Sequence, residues 1–262
     1  MTMHVSDITV RSRGDGIMDL VLDRPAKKNA LTATMIEDLG SRLDELRASP
    51  GLRVVRLRGA GGAFCAGADI EDWTDIPAAR AELQSRRGRE VFRRLAELPV
   101  PTIAVLEGPV LGGGLELALA CDLRVAARNA RLGMPEPSLG NLPSWGGVAR
   151  LVDVAGLGVT RRMLLTAEIV GADRAAALGI VHDVVDDDRL DAATDALTER
   201  IAANDPASLA LAKLVLAGFE SDAPTESALA GLSALLEGSH ERKTAFLAAR
   251  AARHAQKAEV GR

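Results

Sequence analysis

Tyrosine is absent from this chain of 262 residues, and its only aromatic side chains are four phenylalanines and two tryptophans. A mechanism that needs a phenol as acid, base or oxyanion donor is therefore excluded within the chain. The sequence has two cysteines, Cys65 and Cys121, too few to predict a disulfide framework. Because no histidine lies near either one in sequence, we expect both to be small buried hydrophobes rather than nucleophiles.

Long apolar runs and blocks of one charge are missing as well. No apolar segment reaches membrane-spanning length, and the N-terminus lacks the apolar core of a signal peptide. The 32 basic and 36 acidic residues are mixed along the chain and give a net charge of −4, so nucleic acid is not expected as a main partner. The four histidines show no ligand spacing, and no metal site is predicted. These absences favour a cytoplasmic protein with reduced thiols.

What is present is a repeated order of apolar strand, glycine-rich loop and helix. Val54 to Leu57 predicts a strand that enters one such loop, and Thr102 to Leu106 predicts a second strand that leads to Gly112-Gly113-Gly114. Glu116 directly follows the second loop, and Glu136 stands between two prolines. Loops that turn backbone amides toward a ligand, with two carboxylates beside them, can hold a developing oxyanion and move protons. The pattern predicts an α/β enzyme.

The flanking segments complete the α/β pattern. An Asp-Gly dipeptide predicts a hairpin turn between two short strands near the N-terminus. Thr32 or Thr34 is expected to cap the next helix. Helices are predicted at residues 78–97 and 115–120, strands at 123–126 and 180–185, and mainly alanine-rich helix from residue 156 onward. The apolar face of the first helix is predicted to consist of Met35, Ile36, Leu39, Leu43 and Leu46.

Six segments, taken in order, resemble the enoyl-CoA hydratase/isomerase family, also called the crotonase superfamily. They extend from residue 24 to residue 247 and so cover nearly the whole chain. The resemblance implies a crotonase-like spiral of ββα units over residues 1–200, which carries the CoA and oxyanion site. It also implies a C-terminal helical region, residues 201–262, that supports a homotrimer or homohexamer. The segments are Arg24-Pro25 with Lys28 to Leu31, Ala63 to Ile70, Gly108 to Glu116, Cys121-Asp122, Pro135-Glu136 with Leu139-Gly140, Pro143 and Gly146-Gly147, and Lys243 to Leu247.

The resemblance also implies a site. The family's two oxyanion amides fall on Ala68, after the glycine of the first loop, and on Gly113, the middle glycine of the triplet, which is expected to start a helix. Glu116 and Glu136 stand where hydratases keep their catalytic glutamates, with Glu116 expected as base toward water and Glu136 as proton donor to C2. The other expected contacts with the CoA thioester are Lys27, Lys28, Ala66, Gly67, Asp69, Ile70, Gly112 and Trp145.

The implied activity is hydration of a trans-2-enoyl-CoA to the 3-hydroxyacyl-CoA, with no cofactor because coenzyme A enters with the substrate. An isomerase or other thioester enolate chemistry is one alternative, since an isomerase commonly works with the carboxylate at Glu136 alone. A catalytically silent CoA-binding paralogue is another, although both glutamates and the glycines are retained. The absence of tyrosine argues against tyrosine-dependent branches such as naphthoate synthases. The Trp145 indole either reshapes the acyl pocket or packs the following helix, and residues 71–90 are expected to form the acyl-pocket wall and lid.

Overall fold

The computed structural model describes residues 6–74 and 76–217, together with the four positions 244, 245, 248 and 252. The chain divides into two compact units, Met1–Ala203 and Asn204–Arg262. Most of the predicted helical region 201–262, including residues 243, 246 and 247 of the last family segment, lies outside the described residues. None of the helices in the described part is both long enough and apolar enough to span a membrane.

Helices and strands are interspersed along the described chain. Short 3-10 helices at Pro25–Lys27, Ile70–Trp73 and Glu136–Leu139 carry several of the expected site residues. The strands are β1 (Ile8–Gly14), β2 (Ile17–Leu22), β3 (Val54–Gly59), β4 (Thr102–Leu106), β5 (Pro109–Leu111), β6 (Leu123–Ala127), β7 (Arg131–Gly133), β8 (Ile169–Gly171) and β9 (Asp183–Val185). The helices are α1 (Ala33–Arg47), α2 (Ala78–Ala96), α3 (Gly113–Leu119), α4 (Gly147–Thr166), α5 (Ala172–Ala177), α6 (Leu190–Ala202) and α7 (Pro206–Ala217).

Two sheets organise the first unit. A six-stranded sheet has the order β1-β2-β3-β4-β6-β9, in which only the β1–β2 pair is antiparallel. A three-stranded sheet has the order β5-β7-β8. The predicted hairpin turn joins β1 to β2, with positive φ angles of 50° at Asp15 and 76° at Gly16. A Cβ on Gly16 would stand 2.0 Å from the Gly51 carbonyl oxygen, so only glycine fits there.

The core lies on both faces of the larger sheet. Thr32 caps α1 by accepting a hydrogen bond from the Met35 amide, and the five apolar side chains predicted for this helix are all buried. Val55 and Leu57 of β3 pack into the cluster that contains α1 and α2, whereas Val54 faces a smaller cluster with α6. This alternation is what a parallel strand covered on both faces requires.

Both cysteines are buried, as expected. Burial raises the pKa of the Cys65 thiol to about 12, so that it is protonated and behaves as a hydrophobe. One predicted strand was too long, because only Asp183–Val185 of residues 180–185 pairs with β6. Ile180 and Val181 are instead buried in the turn that follows α5.

Candidate active site

Parallel pairing brings the two glycine-rich loops to the same edge of the larger sheet. β3 and β4 are adjacent and parallel, so the segments that follow them leave the sheet side by side. An isolated bridge between Cys65 and Val110 then joins the loops, and the Leu111 amide donates to the Cys65 carbonyl at 3.0 Å. A Cβ on Gly114 would lie 2.3 Å from that carbonyl oxygen, so the last glycine of the triplet permits the close approach.

The backbone amides of Ala68 and Gly113 face the same space. Neither N–H has an acceptor among the residues that the structure describes. A Cβ placed on Gly113 would lie 3.4 Å from the Ala68 nitrogen, and one placed on Gly67 would lie 3.6 Å from the Gly113 nitrogen. Two unpaired donors this close together form a site that can accept one oxyanion.

The smaller sheet places Glu136 over the second loop. Parallel β5 and β7 end together at Leu111 and Gly133, and the Gly112 amide donates to the Gly133 carbonyl at 2.8 Å. Glu136 begins a 3-10 helix three residues further on. Its Oε1 lies 2.6 Å from where a Cβ on Gly112 would be, at a backbone φ of 51°. The carboxyl group therefore sits against the loop that carries the Gly113 amide.

These groups line a cavity of about 320 Å³. Its walls unite the predicted residues Ala66, Gly67, Ala68, Ile70, Gly112, Gly113 and Glu136 with Trp73, Thr74, Pro135, Leu139 and Asn141. The volume is in the range of cavities that hold small organic ligands, and the polar groups are few and convergent.

Glu116 is held behind this cavity by three backbone amides. It lies on α3 with 2% of its surface exposed. Its Oε1 accepts from the Ser144 amide at 3.2 Å, and its Oε2 accepts from the amides of Trp145 at 2.9 Å and Gly147 at 2.6 Å. Burial raises the pKa of Glu116, and these three donors oppose that rise by stabilising the carboxylate. A Cβ on Gly147 would stand 2.3 Å from the Glu116 Cγ, which explains a glycine at that position.

Glu136 is in a different environment. Its Oε2 is buried without a hydrogen-bond partner among the described residues. Burial, together with the neighbouring charge of Glu116, raises the pKa of Glu136 to about 7. The site thus holds one carboxyl group whose oxygens accept from three backbone amides and one whose pKa of about 7 leaves it partly protonated near neutral pH.

Of the two predicted CoA-binding lysines, Lys27 is engaged in an ion pair. Lys27 lies 2.9 Å from Glu71 in an exposed ion pair, and this partner raises the pKa of the lysine. Lys28 has a left-handed backbone, with φ of 49°, and its carbonyl accepts from the Ala66 amide at 2.9 Å. Asp69 is buried and pairs with Arg24 at 2.5 Å, so its carboxylate holds the first loop in place from behind.

Trp145 is buried rather than exposed to the 320 Å³ cavity. A Cβ on Gly113 would meet its ring at 2.3 Å, and a Cβ on Gly88 of α2 would meet it at 2.4 Å. Its ring centroid lies 5.3 Å from that of Phe92 and 6.3 Å from that of Trp73. Of the two interpretations that the sequence left open, packing is observed directly, but the packing is against α2 and the oxyanion loop.

Sequence reasoning missed the amide cradle of Glu116 and Arg150, which donates to the Trp145 carbonyl at 3.3 Å and so braces the cradle. Trp73 and Thr74, from the predicted wall segment 71–90, do line the cavity. The Gly146-Gly147 pair ahead of α4 was the available signal, because paired glycines before a helix often allow a close backbone contact.

The comparisons with known proteins identify the family of the chain. The family profile described as Enoyl-CoA hydratase/isomerase matches residues 12–241. Short-chain-enoyl-CoA hydratase of Clostridium acetobutylicum is 32% identical over 251 residues, covering 94% of this chain and 96% of that protein. Crotonyl-CoA hydratase of Syntrophomonas wolfei is 33% identical over 239 residues, covering 89% and 92%.

Solved structures of enoyl-CoA hydratases have the same fold as this chain. The crystal structure of enoyl-CoA hydratase from Bacillus anthracis superposes with a TM-score of 0.88 at 31% identity, covering 92% of this chain and 95% of that one. The predicted crotonase-like α/β fold is thereby confirmed. With a family profile over most of its length and relatives above 30% identity across nearly all of it, the chain belongs to the enoyl-CoA hydratase/isomerase family.

Proposed function

We propose that this chain, an enoyl-CoA hydratase, hydrates trans-2-enoyl-CoA thioesters by means of two backbone amides and two glutamates. The observation that carries the proposal is the position of the Glu136 carboxyl group beside the unpaired amides of Ala68 and Gly113. The thioester oxygen gathers charge as water adds to C3, and each aimed amide is worth about 3 to 4 kcal/mol in stabilising it.

The two glutamates take different roles because their surroundings differ. A carboxylate offers about four acceptor positions, and three of those on Glu116 are used by backbone amides. The remaining position, on Oε1, has no donor among the described residues. Glu116 is therefore assigned as the base that removes a proton from water.

Glu136 supplies the proton that C2 requires. With a pKa raised to about 7, a large fraction of the group is protonated at neutral pH. In the forward step the water oxygen bonds to C3, its proton passes to Glu116, and the Glu136 proton passes to C2. Exchange with solvent after product release then returns both carboxyl groups to their starting state.

Binding of the CoA portion is assigned to the first loop and the lysines that precede it. Ala66, Gly67 and Ile70 line the cavity, and Lys27 and Lys28 lie just before the segment that pairs with this loop. The Lys27–Glu71 pair is exposed, so exchanging Glu71 for a phosphate of coenzyme A costs little. No separate cofactor is invoked.

The test follows the absorbance of the enoyl thioester when purified protein meets crotonyl-CoA. We expect the wild-type protein to remove it, and Glu116→Gln and Glu136→Gln each to slow the reaction by at least about a hundredfold. Both variants should still bind the non-reacting butyryl-CoA, because neither change removes a binding contact. Near-normal turnover in both variants would disprove the assignment of the glutamates.

Isomerisation of a 3-enoyl-CoA is a second candidate activity. It needs a single group to move a proton between C2 and C4, and Glu136 is the carboxyl group that lines the cavity, whereas Glu116 is tied to three amides. Glu116→Gln separates the two activities. A protein whose main reaction is isomerisation would keep that activity in this variant, while a hydratase would lose hydration.

Assembly and location are proposed on the family resemblance. We expect a homotrimer or homohexamer in the cytoplasm, acting on a soluble CoA thioester without nucleic acid or membrane partners. A catalytically silent paralogue is disfavoured because the amides, the glycines and both glutamates are all retained.

A further inference from the structure

A second cavity lies between α1 and α2, next to the proposed active site. It has a volume of about 190 Å³ and is bordered by the apolar side chains Leu31, Ile36 and Leu83 together with Trp73 and Trp145. Glu37 and Arg87, also part of its border, form an exposed ion pair at 2.8 Å. The cavity therefore combines an apolar interior with a charged rim.

The two cavities meet at Trp73, which lines both. Trp145 stands next to it, with the ring centroids 6.3 Å apart, and lines the second cavity. The Trp145 ring lies directly behind Gly113, and Gly88 and Phe92 hold it from the side of α2. The Trp145 indole is 4% exposed, so it cannot change rotamer without disturbing α2 and the start of α3, which enclose it.

The inner end of the active-site cavity is the side that Trp73 forms. Ile70 and Leu139 also line this cavity, but they are 63% and 64% exposed and so mark its open side. A thioester whose oxygen binds the two amides and whose C2 faces Glu136 enters from the open side with its CoA portion. Its carbons beyond C3 are then directed inward, against Trp73.

We propose that Trp73 and Trp145 form a wall that ends the acyl pocket and restricts the enzyme to short acyl chains. The α1–α2 cavity is the space that a longer chain would occupy if this wall were removed. The inference rests on the proposed function for the placement of the thioester. Trp73 and Trp145 are specificity residues here, and neither is assigned a role in proton transfer.

Binding of saturated acyl-CoAs tests the wall without any turnover. Butyryl-CoA and octanoyl-CoA are titrated by calorimetry into the wild-type protein, Trp73→Ala and Trp73→Phe. Each methylene that enters an apolar cavity strengthens binding roughly fourfold. We expect wild type to gain little or nothing from the four extra methylenes, and Trp73→Ala to raise the octanoyl-to-butyryl affinity ratio at least about tenfold, with Trp73→Phe in between.

Leu83→Ala is the matched control. It enlarges the second cavity from its far side while leaving the wall closed, so its affinity ratio should stay at the wild-type value. If Trp73→Ala does not fold, as judged by circular dichroism and Tm, Trp73→Phe and Trp145→Phe should still shift the ratio in the same direction by a smaller factor.

Two results would disprove the proposal that Trp73 and Trp145 end the acyl pocket. One is a wild-type protein that already binds octanoyl-CoA far more tightly than butyryl-CoA. The other is a set of folded Trp73 variants whose ratio equals that of wild type. A wild-type protein that binds butyryl-CoA but leaves crotonyl-CoA unchanged would instead contradict the proposed hydration, so the two failures are distinguishable.

Discussion

Glu136 shows how one residue's environment sets its chemistry. Its carboxyl group is largely buried, is near the charge of Glu116 and has no donor for Oε2 among the described residues. All of these conditions favour the neutral acid. The same glutamate on a solvated turn would be ionised above about pH 4.3 and could not donate a proton at neutral pH.

The raised pKa has a consequence for both activity and stability. A proton is bound more tightly in the folded state, where the pKa of Glu136 is about 7, than in the unfolded chain, where it is near 4.5. The stabilisation from this group is complete below pH 4.5 and is lost as the pH rises through 7, because above that the buried group must ionise. If Glu136 is the proton donor, kcat/KM should also fall as the pH rises through 7.

Glu136→Gln isolates this effect. Wild type should lose stability between pH 5 and pH 8 because Glu136 must ionise, and the variant should not. We therefore expect the free energy of unfolding of the variant minus that of wild type to be roughly 2 kcal/mol larger at pH 8 than at pH 5. Urea unfolding of both proteins at the two pH values measures it, and the other carboxylates cancel in the difference. A stability difference that does not change with pH would mean that Glu136 titrates normally.

At the scale of single elements, α2 contributes to the site through a glycine. Gly88 is buried at the point where the helix passes the Trp145 ring. In a helix interior, alanine is normally more favourable than glycine by about 1 kcal/mol. At Gly88 the added methyl group would stand 2.4 Å from the indole, so overpacking outweighs the gain in helix propensity.

Gly88→Ala should therefore lower the free energy of unfolding by about 1 to 3 kcal/mol. Gly158→Ala in α4 is the matched control, because a Cβ there has no atom within 4 Å and the change should be neutral or slightly stabilising. Chemical denaturation compares the two variants. Trp145→Leu should relieve the clash in the double variant, and equal effects of both alanine substitutions would contradict the packing argument.

Much of the element order was predictable from the sequence because it rests on local patterns. Each signal lies within the segment that forms the element, as in the apolar spacing of α1, the apolar runs of β3 and β4 and the Asp15-Gly16 turn. The three-residue strands β5, β7 and β8 are too short to show a period, and they exist because they pair with one another. Local sequence alone therefore could not predict these strands.

The site divides in the same way. The resemblance singled out the loop residues and Glu136 that the structure brings together around one cavity. The amides that hold Glu116 come from a segment 28 to 31 residues further along the chain, and their alignment depends on how α4 leaves the loop. The buried pairing of Arg56 with Asp19, at 2.6 Å, was also missed, since a charged residue in an apolar strand reveals no partner by itself.

At the scale of the whole molecule, α4 and the strand after it present apolar side chains to solvent. Leu165 is 84% exposed, Leu157 50% and Ile169 47%. Clusters of exposed large apolar side chains are typical of surfaces that another protein covers. The homotrimer or homohexamer that the family resemblance implies would provide such a cover, since identical copies can bury equivalent surfaces in a closed ring.

We therefore expect sedimentation velocity at micromolar concentration to give a mass of at least three chains. Leu165→Asp should weaken this assembly, because a carboxylate buried at an interface without a partner costs several kcal/mol. Ser41→Asp on the exposed face of α1 adds the same charge outside the apolar surface and should leave the mass unchanged. A monomeric wild-type protein would contradict the expected assembly, while a Leu165→Asp protein that keeps the full mass would exclude this surface of α4 from the interface.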